Sequence, residues 1–185
     1  MPYKQVNIIK ERFQKFIQSN DMVFEFEVDC ELRYRNKFPF KVIFPGVKRP
    51  LFYIRHTFAR IIQYFDYSPV KVLFYKFIGI KIGKGVFIAP DVIIDVHFPH
   101  LIQIDDYALI GWGSKIFTHD FDGKTFRIGR IKIGRGAVIG GFSFVRAGVE
   151  IGEQALVKLT STTYKDIPPY GRNDLSEISV KKGGK

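Results

Sequence analysis

From Ile82 onward the chain restarts every six residues. Ile82-Gly83, Ile88-Ala89, Ile94-Asp95, Ile104-Asp105, Ile110-Gly111, Ile116-Phe117, Ile133-Gly134, Ile139-Gly140, Val145-Arg146, Ile151-Gly152 and Val157-Lys158 each begin a unit that is six residues long wherever no loop intervenes. A unit that short cannot bury its own aliphatic side chain. Successive units must therefore stack, each supplying one short strand and one corner. Three units make one coil of a triangular prism, with the aliphatic residue pointing inward and the small residue after it filling the corner. The phase breaks twice, between Ile94 and Ile104 and between Ile116 and Ile133, so extra residues leave the prism there as loops. The fold class that follows is mainly β, a parallel β-helix of hexapeptide repeats over residues 80–170, preceded by an α+β extension and followed by a polar basic tail, 171–185.

The residues ahead of the prism have other periods. Val6, Ile9, Phe13, Phe16 and Ile17 recur at helical spacing and predict a short amphipathic helix. From Met22 to Tyr34 apolar and polar residues alternate, with Phe24, Phe26, Val28, Cys30 and Leu32 on one face and Glu25, Glu27, Asp29, Glu31 and Arg33 on the other. Period two predicts a strand with one wet face. Phe40 to Phe44, punctuated by Pro39 and Pro45, is a second extended piece that could complete a hairpin within residues 1–50. Residues 51–79 are aromatic and basic and predict two helices, with Ser68 as the cap of the second and Pro69 at its first position. Two uses suggest themselves for this segment: capping the open end of the first coil, which would otherwise expose unpaired strand groups, or lying among lipid head groups.

A formal net charge of +11 favours an anionic partner such as a nucleotide, a phospholipid surface or a phosphorylated substrate. No nucleic-acid motif accompanies it, so nucleic acid is not an expected partner. One cysteine, Cys30, leaves no internal disulfide framework, and the start MPYKQVNIIKERF lacks the apolar core of a signal peptide. With no run of eighteen apolar residues, the expected setting is cytoplasmic, with peripheral membrane contact open.

The runs GIKIGKGVFIAPDVIID, FPHLIQIDDYALIGWGSKIFTHDFD, RIGRIKIGRGAVIGGFSFVRAGVEIGEQALV and KDIPPY resemble the entry, the site-bearing coils and the exit of the hexapeptide-repeat acyltransferases, in particular their sugar and antibiotic O-acetyltransferase branch. The resemblance covers about half the chain. It implies a left-handed prism, a homotrimer, acetyl-CoA as co-substrate, and transfer of the acetyl group to a hydroxyl of a sugar or related small molecule. It also implies a catalytic histidine at the end of a repeat, just before a loop that overhangs the neighbouring subunit. His119 occupies that place in Ile116-Phe117-Thr118-His119-Asp120, with the loop Asp122 to Arg130 following. An imidazole suits this chemistry, because with an unperturbed pKa near ~6.5 it can take the proton of an attacking hydroxyl and return it to the leaving sulfur. Thr118 or Asp120 could hold its tautomer.

For the coenzyme, the expected contacts are Gly140, Gly141, Ser143 and Ala147 along one coil, with Lys158, Ser161 and Lys165, and beyond them Arg172, toward the phosphates. Where the family usually carries Gly-Ala-Gly-Ser, this chain has Lys158-Leu159-Thr160-Ser161. Expected acceptor contacts are His97, His100 and Trp112. No metal is expected: the γ-carbonic anhydrases share the prism and place three histidines on zinc, but His97, His100 and His119 do not match their ligand spacing. A metal-dependent lyase and a non-catalytic prism acting as a scaffold are the alternative functions.

Overall fold

The computed structural model describes residues 2–28 and 49–173. The expected second strand of the N-terminal hairpin, Phe40 to Phe44, and the tail beyond Asn173 lie outside the described residues. The chain enters through helix α1 (Pro2–Gln18) and strand β1 (Val23–Glu27), and resumes with helices α2 (Arg49–Ile62) and α3 (Ser68–Phe77). Both helices expected from the aromatic segment are thus present.

Twelve short strands then wind into four coils. The first face stacks β2 (Lys81–Ile82), β5 (Ile102–Ile104), β10 (Ile131–Ile133) and β13 (Glu150–Ile151). The second stacks β3 (Phe87–Ile88), β6 (Leu109–Ile110), β11 (Val138–Ile139) and β14 (Leu156–Val157), and the third β4 (Ile93–Ile94), β7 (Lys115–Ile116), β12 (Phe144–Val145) and β15 (Thr162–Thr163). All pairings are parallel, and the register sets Ile82, Ile104, Ile133 and Ile151 in one inward ladder, Ile88, Ile110, Ile139 and Val157 in a second, and Ile94, Ile116, Val145 and Thr163 in a third. All eleven repeat-opening residues of the sequence are strand ends on this inward side. The twelfth unit is invisible to an aliphatic pattern because its inward residue is Thr163, whose buried Oγ1 has no hydrogen-bond partner among the described residues.

Nine of the units bury a second residue four places after the first. Val86, Val92, Ala108, Ser114, Ala137, Ser143, Val149, Ala155 and Ser161 are all buried at the corners. Between these two inward positions the backbone must turn through a left-handed conformation, which Gly113 adopts at φ 66° and Phe142 at φ 56°. Phe142 is 61% exposed, so its ring projects away from the turn instead of into it.

Helix α3 closes the first coil. Tyr75 is buried and its hydroxyl meets the backbone of Ile94, while the buried Lys71 ammonium donates to the Ala89 carbonyl at 2.7 Å. Burial pushes the Lys71 pKa down, and Asp66 and Asp91 act against that. The residue preceding the helix is Tyr67, not Ser68; the Ser68 hydroxyl instead accepts the Ile88 backbone N–H at 2.8 Å, so it ties the helix to β3. Helix α3 thus lies against the first coil, with Val72, Phe74 and Tyr75 packed on the prism core.

The second phase break carries two antiparallel strands, β8 (His119–Phe121) and β9 (Thr125–Gly129), and β1 pairs with the outer edge of β9, Phe24 opposite Ile128 and Phe26 opposite Phe126. The N-terminal alternation thus finds its partner inside the repeat region. Its apolar face is covered by α1: Phe13, Phe16, Phe24, Phe26, Val28, Phe98, Leu101, Phe126 and Ile128 form a second core. Each buried phenylalanine stabilises this union by about 1.5–3 kcal/mol. Arg130 locks the end of α1, its guanidinium donating to the carbonyls of Phe16, Ile17, Ser19 and Asp21 and lying 5.1 Å over the Phe16 ring.

Candidate active site

The corner joining the third face to the first is where both extra loops leave the prism, one coil above the other. Ile94 and Ile116 are register partners, so Asp95 on one coil and Thr118-His119 on the next emerge side by side. Asp95 is buried with its side chain at 0% exposure. It collects donors from both coils: Oδ1 accepts the His97 backbone N–H and His97 Nδ1, each at 2.8 Å, and Oδ2 accepts the Thr118 backbone N–H at 3.1 Å, the Thr118 hydroxyl, and His119 Nδ1 at 2.7 Å. Burial alone would raise the Asp95 pKa, but the bonds and charges of His119 and His97 outweigh it and hold the carboxyl well below the usual carboxylate range. A permanent carboxylate fixes the proton of both imidazoles on Nδ1 and leaves Nε2 of each as the basic atom.

Aromatic rings box in His119. Phe126 stacks on it at 5.9 Å, Phe98 and Phe117 meet it edge-on at 6.0 and 6.3 Å, and the His97 ring lies 4.9 Å away. The ring cannot turn without displacing them. Its backbone is held by β9, with His119 opposite Ile128 and the Gly129 N–H donating to the Thr118 carbonyl. Because β1 holds β9 in turn, the N-terminal extension braces the strand that carries His119.

The carboxylate on the ring is therefore Asp95, where the sequence had pointed to Thr118 or Asp120. Thr118 works one step back, on Asp95. Asp120 faces the other side of its strand and makes a two-pronged ion pair with Arg146, at 2.7 and 3.1 Å. The only mark of Asp95 in the sequence is an acid in the corner slot of Ile94-Asp95, and Ile104-Asp105 carries the same mark while Asp105 accepts a bond from Gln103.

His97 joins the site through Asp95, and His56 of α2 packs on it at 4.4 Å between ring centroids. Burial, followed by the neighbouring His97 and Arg55, pushes the His56 pKa down to about 4. His100 lies beyond Phe98, 6.5 Å from that ring, and lines a separate cavity of about 370 Å³ with Arg130, Lys81 and Lys132. Burial first, then Arg130, lowers its pKa. Trp112 sits at a different corner, between the second and third faces, where its Nε1–H donates to Asp91 at 2.6 Å and its ring lies 6.0 Å from Phe142.

The residues expected around a coenzyme divide between two corners. Gly140, Gly141, Ser143, Lys158 and Ser161 belong to the Trp112 corner, while Ala147 and Lys165 belong to the His119 corner, with β12 of the third face running from one to the other. Ser143 and Ser161 are buried, and both hydroxyls donate to the Lys158 carbonyl, at 2.8 and 2.5 Å. The Ser143 bond joins two coils from inside, and the Ser161 bond closes the turn of its own corner. Gly140 is small for a similar reason: a Cβ there would lie 2.5 Å from the Leu159 nitrogen of the next coil. Asp95, His97 and His119 also offer ligand atoms within 4.8 Å of one another, a spacing that a metal ion could use.

No family model matches the chain. A Bacillus subtilis (strain 168) protein named "Putative acetyltransferase YvoF" is 31% identical over 129 residues, covering 66% of this chain and 75% of that protein. Among solved structures, the hexapeptide-repeat-containing acetyltransferase VCA0836 of Vibrio cholerae superposes with a TM-score of 0.51 at 17% identity, covering 79% of this chain and 88% of that one. The same protein complexed with acetyl coenzyme A matches over 51% of this chain and 54% of that one, at 27% identity and a TM-score of 0.41. The chain belongs to the hexapeptide-repeat acyltransferases, built on the left-handed parallel β-helix, and is an enzyme of acyl transfer.

Proposed function

We propose that the chain transfers an acetyl group from acetyl-CoA to a hydroxyl of a sugar or related small molecule, with His119 as general base and Asp95 as the residue that positions it. The observation that carries this reading is the bond from His119 Nδ1 to the buried Asp95 carboxylate. With Nδ1–H donating to Asp95, Nε2 takes the proton of the acceptor hydroxyl as its oxygen attacks the thioester carbon. The tetrahedral intermediate expels the coenzyme sulfur, and the imidazolium returns the proton to it. In the charged interval Asp95 stabilises the imidazolium, while the surrounding aromatic rings limit water around the ring.

Membership of the family supports acetyl-CoA as donor. The pantetheine arm would run along β12 between the two small-residue corners, past Gly140, Gly141 and Ala147, with Lys158 and Lys165 toward the phosphates. Ser143 and Ser161 would support the wall from within. His97, bonded to the same carboxylate, would offer its ring to the acceptor, with His100 and Trp112 at the margins. The working unit would be a homotrimer in the cytoplasm, each prism's third face closed by a neighbour.

A specific observation favours a second reading, metal-dependent lyase chemistry, since Asp95, His97 and His119 cluster closely enough to hold an ion. An ion held by Asp95 and both Nδ1 atoms would replace the bonds that hold the rings, whereas one held by the Nε2 atoms would leave those bonds in place and occupy the nitrogen the base needs. Calorimetric titration with acetyl-CoA, together with metal analysis of the same sample, separates the two. Saturable binding near one per subunit supports acyl transfer; a stoichiometric metal and no coenzyme binding would support the lyase.

A further inference from the structure

The two helices ahead of the prism are apolar on both sides, and among the described residues only one side is packed on the prism. Tyr75, Phe74, Val72, Ile62 and Ala59 turn inward onto the first coil. Outward, Tyr53, Phe58, Ile61, Tyr64, Leu73 and Phe77 are 65%, 55%, 52%, 66%, 71% and 87% exposed. Isolated exposed apolar side chains need no explanation, but a contiguous set on one helical hairpin marks an interaction surface. On the helices themselves the exposed cations are Arg60 and Lys76, and the connection between them carries one exposed carboxylate, Asp66.

We propose that the outer face of α2 and α3 docks on an anionic lipid surface. Tyrosine and phenylalanine mixed with lysine and arginine suit the head-group layer, where rings reach the acyl boundary and cations meet lipid phosphates. No described helix is long and apolar enough to cross a membrane, so the contact is with the surface. A second copy of the chain fits less well, because a two-fold contact would set Arg60 and Lys76 against a face carrying the same cations. The surface is tied to the site through α2, whose other side sets His56 against His97. A docked enzyme would therefore work close to the lipid head groups, within reach of an acceptor anchored there.

The proposal is tested by co-sedimentation of the full chain with vesicles of equal phosphatidylglycerol and phosphatidylcholine, and with phosphatidylcholine alone, for the wild type and a Phe58→Glu, Phe77→Glu double variant. Both positions are exposed, so the melting temperature should be unchanged. The proposal expects binding to the anionic vesicles, at least tenfold weaker binding to neutral ones, and at least a tenfold loss in the variant. Three results would overturn it: no binding by the wild type, equal binding by the folded variant, or a wild-type oligomer in solution that the variant dissociates. Neither coenzyme nor acceptor is present in the assay, so its outcome does not depend on the catalytic reading.

Discussion

Asp95 and His119 are 24 residues apart in sequence, lie on successive coils of the prism, and meet at 2.7 Å between Oδ2 and Nδ1. An uncharged substitute of the same shape tests what that bond does. In Asp95→Asn the amide can present an N–H to His119 Nδ1, which shifts the imidazole proton to Nε2 and removes the base. The acetyl-transfer rate should fall about 10²-fold or more, in line with what positioned proton transfer supplies. Calorimetry should show the coenzyme affinity little changed. A matching loss of coenzyme affinity would instead mean that the corner had collapsed.

His56 makes stability depend on pH in a predictable direction. Its folded pKa, about 4, lies below the ordinary 6.5, so between these values the unfolded chain binds a proton that the folded chain does not. Stability should be level in this respect above pH 6.5 and decline as the pH falls from 6.5 toward 4. Denaturant unfolding at pH 7 and pH 5 should show the decline, and His56→Gln should flatten it. Asp95 works at lower pH: its carboxyl is depressed, so its contribution is complete above 3.8 and is lost only as the pH falls through the still lower folded value.

Arg130 is expected to hold the N-terminal helix to the repeats. Arg130→Ala removes a guanidinium that donates to four carbonyls, and hydrogen bonds to charged groups are worth about 1.5–3 kcal/mol each at most. Because water can take over part of this role, we expect a net loss of about 1–3 kcal/mol by denaturant unfolding. Hydrogen exchange should quicken in α1 and β1 before the prism coils change.

Thr163 offers a substitution in the stabilising direction. Its buried hydroxyl has no hydrogen-bond partner among the described residues, and Thr163→Val replaces it with a methyl group of nearly the same shape in an otherwise aliphatic ladder. Relieving an unsatisfied buried hydroxyl is worth about 1–3 kcal/mol, so thermal unfolding should shift upward by a few degrees.

The prism was legible because its rule is local: an inward aliphatic residue every six positions states the strand, the face and the coil at once. Thr163 escaped because the same slot was filled by a hydroxyl. The alternating strand from Met22 was legible as a strand, but its partner β9 lies about a hundred residues away in a segment with no repeat, and no local pattern names such a pairing. His119 could be singled out by its place before the second loop. Asp95 could not, since the geometry that makes it the partner of His119 is the stacking of two coils, while the nearer Asp120 points to Arg146 across the strand. Ser143 and Ser161, expected at the coenzyme, are buried and donate to the Lys158 carbonyl, a packing role that no local pattern states.

Whether His119 is the base of an acetyl transfer is settled by the release of free coenzyme thiol from acetyl-CoA across a panel of sugar acceptors. The wild type is compared with His119→Ala, each first shown by calorimetry to bind the coenzyme. Equal binding is expected, with a turnover lower by about 10²–10⁴-fold in the variant. A variant that binds coenzyme and turns over at the wild-type rate would remove His119 from the chemistry.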